Sequence, residues 1–324
     1  MRRIEWLFLA LGVVLFVALL DRVGWGTLLA EFRRMGWFFL LVLLVSAGRY
    51  VSRTLAWRYA FAPERELPSF LEMFQVRMAG DTLNYLSFFG PLIGEPAKAA
   101  LMRREVPLAV GLAGAVLEAG AYALTSGFVM VAGLIPALIR VTLNEKTEQV
   151  GWLVASLLVL SWLGGRWLLR RRVRFLRRLL DLFSRTPLRA WVARRRQRLE
   201  KAEESFLDFY AQHTTRFRLI FLWDLAAQAF AMLEIFVILG GMGLWLGWVD
   251  VLILEALGKL ISLMFFFVPA RLGTDEGGQA VVFKLLEFGV ARGVGLALVQ
   301  RLRALVWSLG GLLFLARYAI RHSS

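Results

Sequence analysis

Long runs of apolar residues dominate the chain. They fall at Ile4 to Leu20, Trp37 to Trp57, Val106 to Ile139, Val150 to Leu169, Leu219 to Trp248, Val251 to Pro269 and Gly293 to Tyr318. Each is long enough, as a helix, to reach across a bilayer core of ~30 Å or most of it. The pattern predicts an all-α, polytopic transmembrane protein with about seven to eight spans. Composition agrees, with 59% hydrophobic and 19% charged residues over 324 positions. That balance lies outside the range of soluble globular domains. The start "MRRIEWLFLALGVVLFVALLDRVGW" is basic and then apolar, but no small-x-small cleavage site follows. A retained first helix is expected.

The charge is concentrated. Between Arg166 and Arg218 there are 16 Lys/Arg against 5 Asp/Glu, a net +11 of the chain's +15. By the positive-inside rule this loop, 166–218, is cytoplasmic. Within it, "RRRVRFLRRLLDLF" sets Val173, Leu176, Leu179, Leu180 and Phe183 opposite a row of arginines, and Pro187 separates this run from a second amphipathic one. Anionic lipid headgroups, rather than nucleic acid, are the expected partners of such a surface helix. The whole chain, 1–324, reads as one membrane domain with this loop as part of it.

Helix parity then sets the topology. The Val150 to Leu169 helix runs inward, the Val106 to Ile139 helix runs outward, and the last helix brings Arg317 and Arg321 inside, so both termini are cytoplasmic. Arg49, Arg53, Arg58 and Arg65 fit a cytoplasmic lead-in, while Arg33 and Arg34 go against the rule. The segment before Val106 must start and end inside, and Val251 to Gly289 must start and end outside.

Those two segments resemble each other. "FFGPLIGEPAKA" (Phe88 to Ala99) and "FFVPARLGTDEGGQA" (Phe266 to Ala280) share paired aromatics, a proline, a glycine, an acid and a small-residue helix start. Oppositely inserted, Gly/Pro-interrupted hairpins are the mark of an inverted-repeat transporter, with chance similarity in apolar sequence as the alternative. Pro91 and Pro269 stop a helix, and the glycines allow a reversal. Irregular backbone at membrane depth survives where it is buried or lines a wet cavity, with helix N-termini turned toward an anionic ligand. The plainer alternative is a kinked helix on which Glu95 and Glu276 serve only as caps.

At these residues the chain resembles the flippase-like family defined by the transmembrane region of lysylphosphatidylglycerol synthases, which includes the multiple peptide resistance factor proteins and stand-alone relatives. The resemblance rests on "NYLSFFGPLIGEPAKAALMRR" and on "FFFVPARLGTDEGGQAVVFKLLEFGV" with "ALVQRLRAL". It implies site roles for Asn84, Pro91, Gly94, Glu95 and Lys98, and for Pro269, Gly273, Glu276 and Arg301. Asp275, the acid beside Glu276, joins this set. Where the family has an arginine between the first proline and glycine, this chain has Leu92 and Ile93, leaving Lys98 or Arg271 as the basic partner. The resemblance implies lipid translocation in the cell (inner) membrane. The synthases also carry a soluble aminoacyl-transfer domain, and this sequence ends at Ser324 just past its last apolar run, so synthase activity is not expected.

Other charges within spans are candidates because burying them is costly. Glu118, with Tyr122 one turn later, and Arg301 are the favoured functional pair. Asp224, Gln228 and Glu234 share one run, and Glu255 to Lys259 has the order of a local salt bridge. Arg301 and Arg303 cannot share a helix face. An integral membrane enzyme is the rival, but there is no HExxH, no Asp-x-Asp, no P-loop and no cysteine. No cofactor and no metal are expected. A third reading is a non-transporting accessory subunit of a lipid-synthesis enzyme.

Overall fold

The computed structural model describes residues 33–87, 91–140, 145–170, 212–266 and 268–321, with a few isolated positions besides. The apolar run at Ile4 to Leu20 and most of the basic loop lie outside the described residues. The regular elements are helices: α1 (Phe38–Tyr59), α2 (Phe70–Leu86), α3 (Pro91–Leu101), α4 (Leu108–Arg140), α5 (Glu145–Arg170), α6 (Thr214–Gly241), α7 (Trp248–Met264), α8 (Thr274–Leu285) and α9 (Val290–Arg321). A 3-10 turn at Pro269–Arg271 precedes α8.

Among the described residues α1, α4, α6 and α9 are long and apolar enough to cross a membrane, while α5 has a shorter apolar stretch at Glu148–Gly164. The run Val251 to Pro269 is not a span. Its helix, α7, stops after 17 residues, or ~25 Å, short of the hydrocarbon core.

The long helices form the frame. α1 and α6 lie antiparallel along their lengths: Arg216 donates to the Phe61 carbonyl at one end (2.7 Å), Gly48 abuts the Phe230 ring midway, and Gly241 abuts Met35 and Phe38 at the other end. One end of the bundle collects the loops around residues 60–69 and 102–107 and the end of α9, where Tyr318 donates to the Leu101 carbonyl at 2.7 Å. The opposite end carries exposed Trp37, Trp245 and Trp248, the aromatic belt of a membrane interface. Arg140 and Asp250 form an ion pair there.

Two hairpins enter this frame from opposite ends. α2 starts at the Tyr318 end with a capping box, in which the Ser69 N–H donates to Glu72 Oε2 (2.9 Å) and Glu72 N–H to the Ser69 hydroxyl (3.3 Å). It runs to Leu86, and α3 returns. α7 starts at the aromatic end, runs to Met264, and α8 returns. Trp57, Met73, Leu83, Ala97 and Leu117 pack the core of the first hairpin, and Phe39, Val42, Leu254, Phe283 and Leu296 that of the second. The tips meet at mid-depth, where Leu86, Ala270 and Leu305 form a small cluster of their own.

The packing is reciprocal. α4 packs on α3 of its own hairpin and on α7 of the other, and α9 packs on α8 and on α2. Glycines permit each approach: Gly111 lies on Ala99 and Gly133 on Ala256, while Gly293 lies on Gln279 and Gly311 on Thr82. Small residues serve here because apolar burial alone does not drive helices together in lipid.

Candidate functional site

The first hairpin closes tightly. A Cβ on Gly94 would lie 2.7 Å from the Asn84 Cβ and 2.7 Å from the Gly80 carbonyl oxygen, and the Lys98 stem lies across Gly80. The motif residues Asn84, Gly94 and Lys98 therefore share one helix contact. Lys98 Nζ is 2.7 Å from Glu95 and 3.7 Å from Asp81. It also sits 5.7 Å above the Trp57 ring. The close α2–α3 approach seals Lys98, one of the two candidate basic partners, at 0% exposure.

Deeper in, Glu118 is fully buried and its Oε1 gathers Arg53 from α1, at 2.9 and 3.1 Å, and Arg77 from α2, at 3.2 Å. Arg53 covers the Tyr122 ring at 3.9 Å and Arg77 lies 5.5 Å from that of Trp57. Asp224 of α6 is buried within electrostatic reach of Glu118, Arg53 and Arg77, with no hydrogen-bond donor on either oxygen among the described residues.

The second hairpin tip is built differently. Ala270 (φ 46°) and Arg271 (φ 51°) are left-handed without being glycine, and Gly273 (φ 77°) follows. Such conformations cost side-chain-bearing residues about 1–3 kcal/mol each and persist only where neighbours hold them. Arg301 is that neighbour, donating to the Arg271 carbonyl at 3.3 Å and to Glu276 Oε2 at 3.0 Å. Glu276 also accepts from the Gly273 N–H at 3.0 Å, so it does cap α8. Arg271 was one of the two candidate basic partners, the one within this motif. Its side chain is exposed instead, and Arg301 makes the ion pair. Asp275 is half-buried near both arginines, and Tyr85 at the first hairpin's tip lies within reach of the same charges. Pro91 and Pro269 stand at the first positions of α3 and of the 3-10 turn.

The two motif glutamates belong to separate ion-pair groups. A further group joins the halves: Glu234 of α6, fully buried, lies 2.9 Å from Arg303 of α9 and 3.9 Å from Arg49 of α1. Arg301 and Arg303 do face different partners, but both point inward. Glu255 and Lys259 form the local pair their order suggested, at 2.7 Å. Arg49 and Arg53, read as a lead-in to a span, are instead within α1 and hold buried acids. Arg77 and Asp81 escaped notice, although their i,i+4 spacing in an apolar stretch is a signal. No group of three or more His, Cys, Asp or Glu converges as metal ligands would among the described residues.

A frame of helices long and apolar enough to cross a membrane, with two hairpins and buried acid–base groups packed within it, defines an integral membrane protein. The chain belongs to the family described as the lysylphosphatidylglycerol synthase TM region, which matches residues 6–311. The family ties it to membrane lipid metabolism or transport. No curated protein and no solved structure matches it.

Proposed function

We propose that the protein translocates a phosphate-bearing lipid between leaflets of the cell (inner) membrane, without catalytic activity of its own. The observation that carries this reading is the meeting of two oppositely inserted hairpins at Leu86, Ala270 and Leu305, each with a buried acid–base pair beside its tip. Half-helices that stop at mid-depth leave polar backbone there, which lipid cannot satisfy and a headgroup can. We read α1–α4 and α6–α9 as inverted repeats, supported by the reciprocal glycine contacts of α4 and α9. In that arrangement α1, α4, α5, α6 and α9 cross the membrane, and the two hairpins enter it from opposite faces. The basic end, with Arg58, Arg65, Arg103, Arg104 and Arg317, faces the cytoplasm.

The test is reconstitution of the purified protein in liposomes holding labelled anionic, zwitterionic and isoprenoid lipids. Exchange of a phosphate-bearing lipid between leaflets above the rate of empty liposomes is expected, with no partner added. Exchange no faster than in empty liposomes would overturn the reading and leave the accessory-subunit alternative.

A further inference from the structure

Arg49, Arg53 and Lys259 form a cluster that neither sequence motif contains. The arginines stand one turn apart on α1, and Lys259 approaches from α7. Tyr122 of α4 lies between them, with Arg53 at 3.9 Å and Lys259 Nζ at 5.7 Å from its ring centroid. Arg49 is near enough for its charge to act on both Tyr122 and Lys259.

The carboxylates around this cluster are shared. Glu118 serves Arg53 and Arg77, and Glu234 serves Arg303, at 2.9 Å, ahead of Arg49, at 3.9 Å. Arg77 and Arg303 are buried and depend on those carboxylates, because an unpaired buried charge is strongly destabilising. Neither Arg49 nor Arg53 therefore has a carboxylate to itself. Glu255 pairs with Lys259 within α7, Asp81 lies nearest Lys98 (3.7 Å) and Arg77 (3.9 Å), and both Asp81 and Asp224 are within electrostatic reach of Arg53 as well. The glutamates Glu118 and Glu234 are closed off, whereas the side chains of Arg49, Arg53 and Lys259 stay 28%, 17% and 16% exposed.

We propose that Arg49, Arg53 and Lys259 bind the phosphate group of a mono- or diester. Two guanidinium forks and an ammonium offer the charge-assisted, multidentate hydrogen bonds that a tetrahedral oxyanion accepts. The low-dielectric surroundings strengthen each contact. This rests on the translocation reading and adds to the hairpin tips a second place, on α1 and α7, where the phosphate is held.

Native mass spectrometry of the full-length protein in detergent tests it, with phosphatidylglycerol, diacylglycerol and inorganic phosphate as probes. Phosphatidylglycerol should be retained and diacylglycerol should not. Arg49→Gln and Lys259→Gln should each weaken retention about tenfold, the effect of losing one charged hydrogen bond. Arg49→Lys should lose less, and Lys284→Gln, an equal charge change at an exposed site on α8, should change nothing. Displacement of phosphatidylglycerol by inorganic phosphate supports a site that takes the phosphate from either source, and retention in its presence supports a lipid headgroup. Equal retention of diacylglycerol and phosphatidylglycerol, or parental binding by both glutamine variants, overturns the proposal. Leaflet exchange on the same preparations separates the two readings. Binding without exchange removes translocation and leaves the site, whereas exchange with binding indifferent to both substitutions removes the site and leaves translocation.

Discussion

Glu276 holds the start of α8 and neutralises Arg301 with the same carboxylate. Glu276→Gln keeps a cap acceptor but leaves a buried guanidinium unpaired, at a cost of about 3–5 kcal/mol. The expected outcome is a lowered unfolding temperature in detergent together with lost lipid exchange, and adding Arg301→Gln should restore much of the stability without restoring exchange. Parental stability in the single variant would mean the ion pair is idle. Glycine substitutions supply a second comparison. Gly94→Ala drives a methyl into Asn84 and the Gly80 carbonyl, so about 1–3 kcal/mol of overpacking is expected. Gly164→Ala meets nothing within 4 Å, and should be neutral or stabilising by up to about 1 kcal/mol. Thermal unfolding of the pair checks both. At this scale the sequence was informative where spacing dictates contact, as in the Glu255–Lys259 pair. It was silent on Arg301 with Glu276, since a contact between residues this far apart in the chain depends on how α8 and α9 fold back on each other.

The buried glutamates on α4 and α6 act as rivets between helices, each drawing arginines from two others. Glu118→Gln strands Arg53 and Arg77 together, whereas Glu148→Gln changes an exposed carboxylate that accepts from the Trp152 indole of the same helix. Loss of monodisperse protein on size exclusion is expected for the first and not for the second. Equal behaviour would show that the α1–α2–α4 junction does not depend on this charge. The hairpins were legible because proline and glycine interrupt apolar runs at matching places. The role of α1 was not, because arginines near the end of an apolar run read equally as loop flanks. Only the register against α4 and α6 shows that Arg49 and Arg53 turn inward.

Across the whole molecule, basic residues gather at one end and exposed tryptophans at the other. The chain has no cysteine of its own, so Glu64→Cys and Val249→Cys can be labelled singly with an impermeant maleimide in intact cells. Labelling of both from the same side would overturn the opposed insertion of the hairpins. This polarity was readable from the Arg/Lys distribution, whereas the junction of the hairpin tips was not, since nothing in the local pattern of Leu86 or Ala270 marks a meeting point. The reciprocal packing of α4 and α9 has a consequence for assembly during synthesis. When α4 leaves the insertion machinery, one of its flanks is made for α7, which has not yet been translated. The first half therefore waits in the bilayer with an unfilled groove lined by Gly133, and the second half arrives needing the α2 surface that accepts Gly311. A gene split between α5 and α6 should give fragments that are degraded when expressed singly and persist when expressed together, as pulse-chase labelling would measure.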